Sequence, residues 1–201
     1  DTNLVSRLQQ FGDIITTTPW WTAVSSEYCQ QPGNSPCIGA GSSGGHVVIG
    51  DAPDANYTDS STGGASTIQQ FLKQHVANGS DASTADLPSP DSNTLYVIYF
   101  PTNVTITLDG QASCDSFGAY HNTTILPDKN DNPIFAPYAI IPRCGTKEST
   151  TTVSASHEII EASTDPDIGE NVLSYYMLNQ LWSVAGGEVG DLCEGGSNSN
   201  V

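Results

Sequence analysis

"SASHEIIEASTDPD", residues 154–167, is the stretch on which the fold turns. Residues four apart on a helix lie on one face, one turn apart. A helix through this stretch, predicted over about 150–163, gathers Val153, His157, Ile160 and Glu161 on one side. Its apolar Val153, Ile159, Ile160 and Ala162 call for burial of at least one face. His157 and Glu161 can then point at one cation. Glu158, about 100° round the axis, can hold a water beside it.

Working outward, "TLYVIYFP" (94–101) is the clearest strand, β-branched and aromatic and ended by Pro101. "VTITLD" (104–109) alternates like a half-buried strand and is a candidate hairpin partner. "AYHNTTI" and "IFAPYAIIP" are weaker strand candidates, and His46–Ile49 is a short apolar run read as a strand. Residues 50–65 and 80–93 read as loop by composition. Leu4, Val5, Leu8, Phe11 and Ile15 carry helical spacing, stopped by Pro19, and "WWTAVSSEYC" suggests a further turn or two. Ser66-x-x-Gln69 is a capping box ahead of Ile68, Phe71, Leu72, His75 and Val76, a helix closing near Gly79. "VLSYYMLNQLW" (172–182) reads as another helix. Helices, then strands, then helices predict an α+β fold, one domain over 1–201 with a mixed or antiparallel sheet and a flexible tail at 194–201.

The composition narrows the partners. The 201 residues carry a net charge of −17 with only 5 Lys+Arg, which repels nucleic acid and anionic membranes and excludes both as partners. The chain begins at Asp1 with no apolar leader, as expected of a processed, secreted, extracellular protein. The sequons Asn56-Tyr-Thr, Asn78-Gly-Ser, Asn103-Val-Thr and Asn122-Thr-Thr support a glycoprotein of a secretory route. A monomer is expected. Five cysteines without a C-x-x-C pair point to disulfides, not to a thiolate zinc site. Cys29 and Cys37 bracket a Pro/Gly/Asn loop and are expected to pair. Cys144 is expected to pair with Cys193, leaving Cys114 over.

The pattern H-E-x-x-E differs by one residue from H-E-x-x-H, the two-ligand helix of zinc peptidases, with Glu161 in place of the second histidine. A carboxylate can replace imidazole, but each anionic ligand weakens the metal as a Lewis acid. Carboxylates also stay ionised where histidines protonate, so such a site is expected to tolerate acid. Several acids compete as a third ligand. Asp167 has the offset of long zinc-peptidase motifs, although Thr164 replaces the glycine those motifs need. Asp165 sits at the helix end. Glu188 and Asp191, in "GGEVGDLC", are favoured because glycines allow close backbone approach, and the same turn could instead hold calcium. Tyr120 and His121 could stabilise an oxyanion or add a ligand, or form a surface pair beside a glycan on Asn122. His46 and His75 read as structural. No G-x-S-x-G is present, and Cys114 lacks an activating neighbourhood.

"TLYVIYFP", "CDSFGAYH", "SHEIIEASTDP" and "GEVGDLC", in that order over residues 4–193, resemble a group of secreted microbial proteins, relatives of the zincin metallopeptidases. The most specific piece is S-H-E-x-x-E-A-x-T-D-P. The resemblance implies a zincin-like fold, His157 and Glu161 facing a metal, Glu158 as catalytic base and Glu188/Asp191 as site residues. It also implies a second cysteine soon after Cys114. Ser116, Phe117 and Gly118 supply none, which again leaves Cys114 unpaired. The expectation is a secreted zinc endopeptidase in which metal-bound water attacks a peptide substrate and Glu158 moves the proton. The alternative is a non-catalytic binding protein with structural calcium, using Trp20, Trp21 and Tyr57 against a glycan or protein.

Overall fold

The computed structural model describes residues 2–26, 28–31, 34–50, 52–76, 86–166, 176–177 and 189. In chain order the elements are α1 (Thr2–Ile14), a 3-10 turn (Ile15–Thr17), α2 (Pro19–Ser25), β1 (Tyr28–Gln31), β2 (Asn34–Cys37), β3 (Asn56–Asp59) and α3 (Thr67–His75). Then come β4 (Tyr96–Phe100), β5 (Thr105–Leu108), β6 (Gln111–Ala112), β7 (Tyr120–Pro127), β8 (Pro133–Pro142), α4 (Glu148–Thr164) and β9 (Tyr176–Met177). The class is α+β, as the sequence predicts.

Local chemistry sets the helix ends. Thr18 caps α2 by accepting from Trp21 N, with Pro19 in the first turn, where its missing N–H costs nothing. Ser66 caps α3 by accepting from Gln69 N at 2.9 Å. That helix stops at His75, and Val76 leaves it extended to bridge Leu87, earlier than the Gly79 stop predicted.

The central sheet has the order β4–β8–β7, with β8 parallel to β4 and antiparallel to β7. The β7–β8 hairpin closes through Asp128, whose Oδ1 accepts from Asn130 N and Asn132 N. Pro137 sits in a central strand, where proline ordinarily breaks the ladder. It is tolerated because pairing with β4 starts only at Tyr138, so β8 has one partner there. Side chains alternate across the sheet. Tyr96, Phe100, Tyr120, Leu126, Ala136, Tyr138 and Ile140 face α3 and a small sheet, β3–β5–β6. Val97, Tyr99, Ala139 and Ile141 face α4 and the Ile15 and Trp21 segment. The described residues therefore form a core on each side of the central sheet.

Several expectations change. Residues 46–49 form no strand, and Val47 and Val48 are exposed. The supposed loop 50–65 contains β3, which pairs parallel with β5 and turns Tyr57 and Asp59 inward. Consequently β5 belongs to the small sheet and is no hairpin partner of β4. In the predicted helix 172–182, the described residues Tyr176 and Met177 are extended and pair with β1; the rest lie outside the described residues, as does the tail 194–201. The expected Cys144–Cys193 pair is replaced by a Cys114–Cys144 disulfide, so Cys114 is not left over. The turn ahead of β7, closed by Cys114 N–H donating to Phe117 O, carries Cys114 to Cys144. Cys37 is disulfide-bonded and stands opposite Cys29 in the β1–β2 register. Cys193 lies outside the described residues. Among the described residues no helix is long and apolar enough to cross a membrane.

Candidate metal centre

α4 lies across the central sheet on a stripe of Thr151, Ala155, Glu158, Ile159 and Ala162, all buried. Small alanines bring the helix close, and Ala139 of β8, the register partner of His121, keeps the sheet side shallow. Glu158 and Glu161, three apart and so adjacent on the helix surface, both reach the β7 side of this contact. There they meet His121, which strand alternation turns to the α4 face.

The geometry fixes the histidine. Nε2 of His121 lies 3.2 Å from the backbone carbonyl of Asp165, which can only accept, so Nε2 carries the proton. Nδ1 then faces Glu158 Oε2 at 3.3 Å and Glu161 Oε2 at 3.7 Å. Side-chain exposure is 2% for His121, 7% for Glu158 and 2% for Glu161, so water does little to screen them. A neutral imidazole would direct its lone pair at two carboxylates. The arrangement needs a cation: a proton on Nδ1 or on a carboxyl, or a metal ion. Burial, first of all, raises the Glu158 carboxyl above the usual glutamate range; the His121 hydrogen bond and the charge of His157 oppose the shift, and Glu161 adds to it.

A metal fits this donor set. One ligand atom from each of His121, Glu158 and Glu161 lies within 4.8 Å of the others, and the three could hold an ion. A tetrahedral ion with bonds of about 2.0–2.2 Å sets its ligand atoms about 3.3–3.6 Å apart, and the two distances at Nδ1 bracket that range. The Nε2–H of His121 on a carbonyl is the outer partner that metal-bound histidines ordinarily have.

The predicted site residues divide as follows. His121, Glu158 and Glu161 come together, with Glu158 among the potential ligands and not set apart as a base. His157 stands at the margin, 20% exposed, its Nε2 3.0 Å from Glu161 Oε2, a hydrogen-bonding distance that orients that carboxylate. Asp165 enters through its main-chain oxygen, which faces His121 Nε2. Tyr120 is excluded: it faces the opposite core, and its hydroxyl donates to Asp59 Oδ2 at 2.8 Å. Burial and that carboxylate raise its pKa, as they do for Tyr138, which donates to the same oxygen. Glu188, Asp191 and Asp167 lie outside the described residues. Asn122 is 5% exposed, and its amide donates to Ser60 O. Asn56 and Asn103 are exposed, and Asn78 lies outside the described residues.

The remaining histidines pair with surface acids, His46 with Asp13 at 2.8 Å and His75 with Asp86 at 2.6 Å. Ser43 also approaches His46, but at the same Nε2 that Asp13 occupies, so the three cannot relay a proton as a serine hydrolase does. The residue that sequence reasoning misses is Asp59, a buried acceptor for two tyrosines and for Ser60 N. Its signal is the alternation of "NYTD", which is short and half polar. Comparison with family models, with curated proteins and with solved structures gives no match to this chain.

Proposed function

We propose that the protein is a secreted, zincin-like metal-dependent hydrolase of peptide bonds, with His121, Glu158 and Glu161 as ligands to zinc. The observation that carries this is the aim of His121 Nδ1 at two buried carboxylates on one helix. Three protein ligands are the usual complement of a catalytic zinc site. Imidazole in the set favours zinc over calcium, which takes oxygen ligands. The exposed Cys114–Cys144 disulfide suits an oxidising compartment.

When bound, a divalent ion of this kind polarises a carbonyl and lowers the pKa of water. The chain supplies the rest. Asp165 O holds the tautomer of His121. Burial between β7 and α4 keeps most water off the three ligand side chains. His157, partly exposed and fastened to Glu161, is the group placed to carry a proton between the site and solvent. This transfers to His157 the proton-moving role that the sequence assigns to Glu158.

The competing possibility, a non-catalytic protein braced by a buried ion, is favoured by the near-complete burial of the ligands. Zinc-loaded protein incubated with casein and a mixed peptide library, with and without chelator, separates the two. Hydrolysis that chelation stops and zinc restores is expected. Stoichiometric zinc, a higher melting temperature and intact peptides would rule out the hydrolase and leave the braced protein.

A further inference from the structure

We infer that the Cys114–Cys144 disulfide is a redox-sensitive positioning device for the candidate metal group, so that opening it weakens metal binding while the fold persists. This deepens the metal reading above and rests on it.

The bond joins the two segments that lead into the site. Cys114 lies in the turn before β7, which carries His121, and Cys144 lies between β8 and α4, which carries Glu158 and Glu161. The turn is built to transmit position. Cys114 is held at φ +68, a left-handed conformation unusual for a residue with a side chain, which persists only where neighbours over-determine it. Its N–H donates to Phe117 O at 2.8 Å, and the Phe117 ring packs edge-on against Tyr120, the neighbour of His121. On the helix side, a Cβ on Gly118 would stand 3.7 Å from Ser154 Oγ, one turn before Glu158. Cys144 Sγ touches Gly118 O at 3.8 Å, a packing contact, since a disulfide sulfur has no hydrogen to donate. The turn 114–118 thus sits between the start of β7 and the N-terminal half of α4.

Two further observations separate this from a purely structural bond. Both cysteines are solvent-exposed, within reach of a dithiol, whereas the two cores are assembled from other residues. And ligand groups must be held within about 0.5 Å of their working geometry, a tolerance much finer than folding needs. With the bond open, His121 ties β7 to α4 at the site through Glu158 Oε2 and the Asp165 carbonyl, the very contacts a metal needs held in place. A dithiol's thiolate attacks one sulfur to form a mixed disulfide, its second thiol displaces that bond to form the reductant's own disulfide, and the two electrons and two protons so delivered convert Cys114 and Cys144 to thiols.

The test is zinc titration, with no other ligand, of three forms: native protein, the C114S/C144S variant, and native protein mildly reduced and alkylated, with mass spectrometry confirming modification at Cys114 and Cys144. Serine and carbamidomethylated cysteine offer zinc no thiolate. Circular dichroism and a cooperative melt report the fold. Ser66→Ala, which removes the cap of α3 on the far core, serves as a destabilised control. We expect both altered forms to fold and to bind zinc about 10- to 100-fold more weakly, with the control binding like native protein. Equal affinity in all forms overturns the inference alone. So does loss of the fold in both altered forms, which makes the bond a structural one. Absence of zinc binding by native protein overturns the metal reading as well.

Discussion

Glu158→Gln separates a ligand from a base. Glutamine keeps the shape and one acceptor oxygen but removes the charge. If Glu158 only moves protons, the variant holds zinc like wild type and loses hydrolysis. The structure argues for a ligand, because Glu158 Oε2 and Glu161 Oε2 both approach the same His121 nitrogen. Structural zinc binding contributes about 10–16 kcal/mol in small domains at neutral pH. Losing one of three ligands should then cost on the order of 3–5 kcal/mol, a weakening of about 10²- to 10⁴-fold. The metal-free protein should behave differently. Burial disfavours the Glu158 charge, so a neutral isostere removes a burden, and its amide can donate to His121 Nδ1. The chelated variant should melt at or slightly above the wild type at pH 7. Calorimetric zinc titration and thermal melts with excess chelator measure both quantities. Wild-type zinc affinity in the variant would refute ligation by Glu158.

The same carboxyl predicts a pH dependence. Its folded pKa is raised, so in metal-free protein it contributes stability that is complete below the unfolded value near 4.5 and is lost as pH rises through the folded value. Melting temperatures of chelated wild type minus those of Glu158→Gln should therefore fall with rising pH above 4.5, and a flat difference would contradict the shift. Zinc must displace that proton, so zinc affinity should weaken with acid sooner than an ordinary glutamate would allow, which limits the acid tolerance expected of a carboxylate-rich site. Asp59→Asn should cost about 2–4 kcal/mol, because two tyrosine hydroxyls and Ser60 N lose a buried anionic acceptor. Denaturant melts should show that loss in the presence of chelator.

Much of this was readable in the chain. The Ser66 cap, the β4 run and the motif helix follow from local rules, since caps and apolar periodicity are written in neighbouring residues. The ligand set was readable only in part. Helical spacing makes His157 and Glu161 a pair, but the stripe Ala155, Glu158, Ile159 and Ala162 decides which side meets the sheet, and it takes Glu158 inward. His121 and Tyr120 look equivalent in sequence until the face of β7 is known, and the long β7–β8 register fixes that face. Partners distant in the chain were out of reach. Pairing of β3 with β5, of Cys114 with Cys144 and of Asp59 with Tyr120 and Tyr138 depends on tertiary packing that no short window encodes.

The layout of β7, β8 and α4 bears on the order in which the protein folds. His121, Glu158, Glu161 and the Asp165 carbonyl all come from one unbroken segment, a hairpin followed directly by a helix. Closing that unit crosses only the short connections 128–132 and 143–147, whereas docking β4 in parallel on β8 must close the longer stretch 101–119. An ion captured by the nascent β7–β8–α4 unit would therefore be in place before the sheet is complete. Zinc would then speed refolding as well as slow unfolding, and stopped-flow refolding with and without the ion distinguishes this from capture by the finished fold.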